Sequence, residues 1–228
     1  MSKAGKGVLQ EGHAAAPDYV LEDLQTNGLW IYQSEAYFRF GTDAVALAHF
    51  AKAKGKDIVL DIGSGSGIVP LLMAGKFGVR KVYGVELQEP LCRMSRQSIA
   101  YNGLQQQIQI IEDKAQNIAT HFESGFATLV TANPPYYKVD GGDSAINPSV
   151  AMSRTEHTLS LHDTVQCAKY ALSTGGRFCI VHKVERLAEV IHECKLAKLE
   201  PKRLQLLLPK LFLMECKKDG GVGLKIEK

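Results

Sequence analysis

The sequence lacks the features of membrane, secreted and zinc-binding proteins. It contains no apolar run of the roughly 18 residues that a transmembrane helix needs. No apolar stretch follows the N-terminal residues 1–7 as it would in a secretion signal. Its five cysteines are scattered, and none belongs to a CxxC pair or to a Cys/His cluster with metal-ligand spacing. We therefore expect a cytoplasmic protein with reduced thiols, no membrane association and no metal.

A strong overall charge is also absent, but the charge that exists is unevenly distributed. The 228 residues have a formal net charge of +3. Residues 1–178 carry 16 basic and 17 acidic side chains, whereas residues 179–228 carry 11 basic and 7 acidic ones. The basic C-terminal part fits either a solvated helix face or a modest footprint for a polyanion such as RNA.

The hydrophobic pattern alternates between strands and helices. We expect residues 1–16 to form a disordered tail and residues 17–228 to form one domain, in which 17–56 cover the site and 57–228 form the core. Strands are predicted at 58–60, 81–85, 108–111, 127–132 and 177–181, with helices at 43–54, 68–77, 90–101, from 160 onward, and at 184–197. Residues 203–208 and 211–216 predict a final hairpin at the sheet edge, although its link Pro209-Lys210 is unusually short. The alternation predicts an α/β fold with a doubly wound, mostly parallel, seven-stranded Rossmann-like sheet and an antiparallel edge strand.

A glycine-rich loop follows the first strand of the predicted core and opens a helix. It reads Asp61-Ile-Gly63-Ser64-Gly65-Ser-Gly67, and Glu86 ends the second strand about 20 residues later. Glycines there allow close approach of a ligand, and an acidic residue at that distance can accept hydrogen bonds from ribose hydroxyls. This pattern alone allows either a dinucleotide or S-adenosylmethionine.

The acidic residues around this loop favour the second ligand. Asp61 precedes the first glycine, and Asp113 follows the third strand, where it is placed to reach an adenine amino group. Carboxylates suit a sulfonium cation and an amino acid better than a pyrophosphate, and the glycine spacing DxGxGxG also departs from the dinucleotide pattern GxGxxG.

A turn of unusual composition follows the fourth strand. Asn133-Pro134-Pro135-Tyr136 cannot continue a sheet ladder, because neither proline has an N–H to donate. Pro135 is expected to set an abrupt turn that leaves the Asn133 side-chain oxygen and the Pro134 carbonyl facing outward. These acceptors suit an amino group that must be held and made nucleophilic, and Tyr136 is placed to stack on a flipped base. The turn therefore predicts methyl transfer onto a planar nitrogen.

Together these motifs resemble those of class I S-adenosylmethionine-dependent methyltransferases that modify exocyclic amino groups. Residues 24–33, residues 38–44 and residues 153–157 are similar to the tRNA1(Val) (adenine-37-N6)-methyltransferase family, and this resemblance covers roughly residues 18–208. The short connection at Pro209 departs from the family, in which a longer basic connection is expected.

The resemblance implies N6-methylation of an adenine in tRNA, with A37 of tRNA1(Val) as the expected target and S-adenosylmethionine as the cofactor. It implies a monomer or weak homodimer. Asp43 could equally be the N-cap of the first helix, and Arg154 and His157 could contact substrate phosphate or only order their loop. The implied cofactor-binding residues are Phe40, Thr42, Asp43, Asp61, Gly63, Ser64, Gly65, Gly67, Glu86, Leu87, Asp113, Lys114 and Asn133. The implied substrate-binding residues are Tyr136, Tyr137, Arg154 and His157.

Two other functions use the same residues. Release-factor glutamine N5-methyltransferases share the Asn-Pro-Pro-Tyr motif but carry a separate N-terminal helical domain, for which the residues before Asp43 are too few and too irregular. A non-catalytic module that binds RNA or cofactor would not need amino-activating acceptors.

Overall fold

A computed structural model describes residues 18–37, 39–136, 158–207 and 209–227. The strands are β1 Val20–Asp23, β2 Trp30–Gln33, β3 Ile58–Ile62, β4 Lys81–Glu86, β5 Ile108–Glu112, β6 Ala127–Ala132, β7 Leu172–Lys183, β8 Leu199–Leu207, β9 Leu211–Lys218 and β10 Lys225–Glu227. The α-helices are α1 Thr42–Phe50, α2 Ile68–Leu71, α3 Glu89–Tyr101, α4 Leu161–Ala171 and α5 Leu187–Leu196. A π-helical turn, Leu72–Lys76, continues α2, and 3-10 helices span Ala115–Thr120 and Val184–Arg186.

The central sheet has the strand order β5-β4-β3-β6-β7-β9-β8-β10. From β3 the chain builds outward through β4 and β5, then returns to place β6 and β7 on the other side of β3, and all these neighbours are parallel. The α/β, mostly parallel, doubly wound fold is therefore confirmed. The reversal of strand order lies between β3 and β6, which is where open α/β sheets bind their ligands.

Two details of the predicted sheet are wrong. Within the described residues it has eight strands rather than seven, because β10 pairs in parallel with β8. The predicted hairpin of β8 and β9 is present, but the antiparallel strand β9 is inserted between β7 and β8 instead of forming the edge. Phe212 and Met214 enter one core and Leu213 enters the other. A strand that buries both faces is stable only in the interior of a sheet.

Helices cover both faces of the sheet. Alternate residues of one strand face opposite layers, so that Val59 packs with α1, α2 and α3, whereas Leu60 packs with α4, α5 and the 3-10 helix Ala115–Thr120. The helices contribute apolar side chains at helical spacing to these layers, and the strands contribute alternate side chains to each layer. The sequence predicted this pattern.

The N-terminal segment forms an antiparallel hairpin of β1 and β2, which the sequence did not predict. The hairpin is attached to α3 through Asn102, whose side-chain amide accepts from the Trp30 N–H at 2.9 Å and donates to the Trp30 carbonyl at 2.6 Å. Tyr32 N–H also donates to Ser98 Oγ at 2.9 Å. Asn102, at the C-terminal end of α3, therefore connects the hairpin to the core.

The end of α1 and the link between β8 and β9 can both be compared with the sequence predictions. Helix α1 ends at Phe50, earlier than the predicted Lys54, and Lys52 adopts a left-handed φ of 47° that cannot continue the helix. The short link at Pro209-Lys210 is accommodated, since Leu207 pairs with Leu211 and the Lys210 carbonyl accepts from Val184 N–H at 2.9 Å. No helix in the described ranges is long and apolar enough to cross a membrane.

Candidate active site

A cavity of about 920 Å³, counted with its open mouth, lies at the carboxyl ends of β3, β4 and β6. It coincides with the reversal of strand order. Of the predicted cofactor residues, its wall contains Phe40, Asp61, Gly63, Ser64, Gly65, Glu86, Leu87, Asp113, Lys114 and Asn133. Pro135 of the predicted turn also lines it, together with neighbours that the motifs did not single out, namely Ala44, Ser66, Ile68, Val69, Val85, Gln88, Leu91, Ala115, Thr158 and Leu159. Most of these flank a motif residue by one to three positions, so proximity in sequence was the available signal.

The glycines of the loop have different structural roles. Gly63, Gly65 and Gly67 all have left-handed φ angles, of 67°, 55° and 88°. A Cβ on Gly65 would meet no atom within 4 Å, so this glycine leaves space beside the cavity. A Cβ on Gly67 would lie 2.1 Å from Ser95 Oγ, so Gly67 allows the close packing of α2 on α3. Gly67 caps α2 and is not in the cavity wall.

Asp61 is a buried carboxylate at the end of β3, with 3% of its surface exposed. Its Oδ1 accepts a hydrogen bond of 2.6 Å from Thr131 Oγ1 on the adjacent strand β6. Burial raises the pKa of Asp61 from 3.8 to about 7; the Thr131 hydroxyl opposes that shift and the nearby Glu86 adds to it. A cation bound in the cavity would favour the ionised form.

Glu86 ends β4 and holds the loop in place. Its Oε2 accepts from Gly65 N–H and its Oε1 from Gln88 N–H, both at 2.9 Å. Burial raises its pKa, and these backbone hydrogen bonds oppose the shift. Because a carboxylate has about four lone-pair sites, Glu86 retains acceptor capacity for a ligand.

Asp113 follows β5 and lines the cavity, but its carboxylate is engaged by its own segment. Oδ1 accepts from Lys114 N–H and from Asn117 Nδ2, each at 2.7 Å, and Oδ2 lies 2.7 Å from His121 Nε2. The His121 hydrogen bond, followed by that of Asn117, lowers the pKa of Asp113. The predicted contact of Asp113 with an adenine amino group stays a prediction, and the carboxylate is rigidly held for it.

Asp43 is directed at the Asn-Pro-Pro-Tyr turn. Its Oδ2 accepts from Asn133 Nδ2 at 3.2 Å and from the Tyr136 hydroxyl, which also lies 2.7 Å from Asn133 Oδ1. The N-cap of α1 is Gly41, and Asp43 lies in the first turn, where its Oδ1 accepts from Ala44 N–H at 2.9 Å. The N-cap reading of Asp43 is therefore wrong. Thr42 and Asp43 are absent from the cavity wall of the described residues.

The rest of the turn is partly turned away from the cavity. Pro135 lines the cavity, whereas Pro134 and Tyr136 do not. The Tyr136 ring is tilted against His182 at a centroid distance of 5.5 Å, and its carbonyl accepts from Arg186 Nη1 at 3.4 Å. Burial, followed by Arg186, lowers the pKa of His182 to about 3, so the imidazole is neutral. Stacking of Tyr136 on a base stays a prediction, and Tyr137, Arg154 and His157 lie outside the described residues.

The donor set of the cavity fits S-adenosylmethionine better than a dinucleotide. Within the described residues its wall carries the carboxylates of Asp61, Glu86 and Asp113, with Lys114 as its basic side chain. A pyrophosphate would be repelled by two buried carboxylates, whereas a sulfonium and an ammonium group would be attracted to them. Ser64 Oγ packs toward Gly84, so a contact from Ser64 would come from its backbone.

Comparison with known proteins gives a consistent relationship. The family model for ribosomal protein L11 methyltransferase (PrmA) matches residues 41–133, which contain the glycine loop and the acidic strand ends. A tRNA1(Val) (adenine(37)-N6)-methyltransferase of Aeromonas hydrophila is 28% identical over 155 residues, covering 67% of this chain and 63% of that protein. Its counterpart in Cronobacter sakazakii is 29% identical over 168 residues, covering 69% and 66%. The chain thus matches somewhat less than two thirds of the length of these relatives.

Solved structures share the fold at lower identity. TrmN from Thermus thermophilus superposes with a TM-score of 0.56 at 21% identity, covering 77% of this chain and 48% of that one. Geranyl diphosphate C-methyltransferase from Streptomyces coelicolor, solved with S-adenosyl-L-homocysteine, gives a TM-score of 0.57 at 15% identity, covering 76% and 79%. The chain has the Rossmann-like methyltransferase fold and is homologous to tRNA1(Val) (adenine(37)-N6)-methyltransferases over about two thirds of its length.

Proposed function

We propose that this protein is an enzyme that transfers the methyl group of S-adenosylmethionine to N6 of an adenine in tRNA, with A37 of tRNA1(Val) as the target. One observation carries the proposal. Asn133, at the end of β6, lines the same cavity as Asp61 and Glu86, at the ends of the neighbouring strands β3 and β4. A pair of buried carboxylates suited to a cationic cofactor therefore adjoins an amide suited to an amino group. The names of the homologues support tRNA as the substrate.

The cavity residues would bind the cofactor along the strand ends. Glu86 would accept hydrogen bonds from ribose hydroxyls, Asp113 from the adenine amino group, and Asp61 would face the positive charge. When bound, S-adenosylmethionine supplies an electrophilic methyl group on a sulfonium centre. Gly65 leaves the space that close approach of this ligand requires.

The Asn-Pro-Pro-Tyr turn would prepare the target nitrogen. The N6 lone pair of adenine is delocalised into the ring and is a poor nucleophile. Hydrogen bonds from the amino group to Asn133 Oδ1 and to the Pro134 carbonyl would favour a pyramidal nitrogen and orient its lone pair. Catalysis would come from this orientation and from electrostatics, since the methylated nitrogen is acidic enough to release its proton to water.

The remaining features of the chain are compatible with this assignment. All five cysteines are free and buried, which accords with the reducing cytoplasm. Lys210 is exposed at the carboxyl edge of the sheet, where its carbonyl accepts from Val184 N–H and its side chain could face RNA phosphate. We accordingly infer a cytoplasmic enzyme acting on tRNA.

The test is transfer of labelled methyl groups into total tRNA from a strain that lacks this protein, followed by nucleoside analysis. We expect label in N6-methyladenosine of a single tRNA. The control Asn133→Ala should bind the cofactor with affinity close to wild type but lose about 100-fold or more in kcat. Label in protein instead of tRNA would support a release-factor type of activity, and cofactor binding without transfer would support a binding module.

A further inference from the structure

We propose that Asp43 is a positioning residue for methyl transfer: it orients the Asn133 amide and draws the Tyr136 hydroxyl proton away from the Asn133 oxygen. The inference rests on the proposed function and assigns Asp43 to the acceptor side of the site. Asp43 approaches the turn from α1, 90 residues away in sequence, and touches both of its polar side chains.

The first effect concerns the orientation of the amide. The Asn133 Nδ2 lies 3.2 Å from Asp43 Oδ2, so the N–H₂ end faces the carboxylate. The opposite orientation would place Asn133 Oδ1 against a negatively charged oxygen with no proton between them. The carboxylate therefore selects the orientation in which Oδ1 is presented as the acceptor, and an amino group of the substrate requires an acceptor there.

The second effect concerns a single proton. The Tyr136 hydroxyl lies within hydrogen-bonding reach of Asp43 Oδ2 and of Asn133 Oδ1, at 2.7 Å from the latter, and has one proton for the two acceptors. A hydrogen bond to a carboxylate is roughly twice as strong as one to an amide. Asp43 therefore draws the proton toward itself and weakens the hydrogen bond to Asn133 Oδ1, whose other lone pair accepts from the substrate. Without Asp43, Tyr136 would donate to Asn133 and compete with the substrate.

The local structure is shaped around this carboxylate. A Cβ at Gly41, the N-cap of α1, would lie 2.5 Å from Asp43 Oδ1, so glycine provides the room in which the side chain sits. Oδ1 also accepts from Ala44 N–H at 2.9 Å. Ala44, Leu47 and Ala48 are buried in the core, which fixes α1 against the sheet. The carboxylate is thus held by a rigid element and not by a surface loop.

The experiment is a double-mutant cycle in single-turnover methyl transfer to tRNA. Asp43→Ala should lower the rate about 10- to 100-fold, since a misoriented acceptor costs about that much. Tyr136→Phe keeps the ring and removes the competing donor. The double variant Asp43→Ala/Tyr136→Phe should therefore be at least about threefold faster than Asp43→Ala, although it carries an additional substitution.

Three controls separate this role from a structural one. S-adenosylmethionine affinity, measured by calorimetry, should be unchanged in Asp43→Ala. Asp43→Asn, which preserves an acceptor of the same shape, should recover part of the rate. Asp219→Asn removes a carboxylate charge beside Thr174, at the opposite edge of the sheet, and Asn tolerates the left-handed backbone of that position. Its methyl-transfer rate should equal that of the wild type.

The outcomes are distinguishable. The inference would be overturned if the rate losses of Asp43→Ala and Tyr136→Phe multiplied in the double variant. It would also be overturned if Asp43→Ala failed to fold while Asp43→Asn transferred methyl groups at the wild-type rate. A wild type that transfers no methyl group to tRNA would refute the proposed function, and this inference with it.

Discussion

Lowering the pH from about 8 to about 5 is expected to weaken S-adenosylmethionine binding through the titration of Asp61. This carboxylate lines the cavity with 3% of its surface exposed, and burial raises its pKa from 3.8 to about 7. A cationic ligand binds the ionised form in preference, so protonation of Asp61 competes with binding.

The magnitude follows from the pKa. Below a pH of about 7, the ionised fraction of Asp61 falls about tenfold for each pH unit, and the binding constant should fall with it. The expected loss is about 100-fold at pH 5, or about 3 kcal/mol. Above pH 7 the binding constant should level off.

The assay is calorimetry at several pH values for wild type and for Asp61→Asn, which keeps an acceptor for the Thr131 hydroxyl. The variant should bind more weakly at high pH and should lose the slope that belongs to Asp61. Burial also raises the pKa of Glu86, and the slope that remains in the variant measures its share. A wild-type binding constant that is flat between pH 5 and pH 8 would refute the reasoning.

The same carboxylate gives a prediction of opposite sign for the stability of the ligand-free protein. Because the folded pKa lies above the unfolded value, the folded state disfavours the ionised form, and stability is lost as pH rises from 3.8 to about 7. Asp61→Asn should therefore be more stable than wild type at pH 8, by up to about 4 kcal/mol in chemical denaturation. A variant of equal or lower stability at that pH would show that Asp61 is not under strain from burial.

Two further predictions concern the loop. Glu86→Ala should weaken S-adenosylmethionine binding about 10- to 100-fold in calorimetry, because it removes an acceptor for the ligand and for Gly65 N–H. The control Glu89→Ala, at an exposed position, should leave the affinity unchanged. If Glu86→Ala bound the cofactor as tightly as the wild type, Glu86 would serve only its backbone contacts. Gly67→Ala should lower the free energy of unfolding by roughly 2–4 kcal/mol, because its Cβ meets Ser95, whereas Gly65→Ala, with no neighbour, should cost about 1 kcal/mol. Equal losses would contradict the packing role of Gly67.

The cofactor half of the site could be predicted from the sequence because its signals are local. A strand, a glycine loop, a helix and a second strand follow one another from residue 58 to residue 86, and the acidic residues fall at strand ends. Strand order could also be anticipated, since right-handed crossovers place the ends of β3 and β6 side by side.

The remaining features depend on contacts between distant segments. Residues 211–216 are predicted as a strand of a hairpin at the sheet edge, and their sequence does not specify that β9 enters between β7 and β8. Asp43 matched an N-cap by sequence, and its contact with Asn133 follows only from the packing of α1 on the sheet. His182 carried no motif, and its contact with Tyr136 follows from the pairing of β6 with β7.

The site separates its charges by strand. The carboxylates of Asp61, Glu86 and Asp113 end β3, β4 and β5, whereas the acceptors after β6 are a neutral amide and a carbonyl. A carboxylate beside the target would hold the amino hydrogens more strongly, but it would also be a better nucleophile than an amide toward the methyl group. Asp43 is a carboxylate of the described residues that contacts the turn, and its Oδ2 is occupied by Asn133 and Tyr136. In the proposed role, its charge orients the Asn133 amide, while the neutral Asn133 Oδ1 faces the substrate.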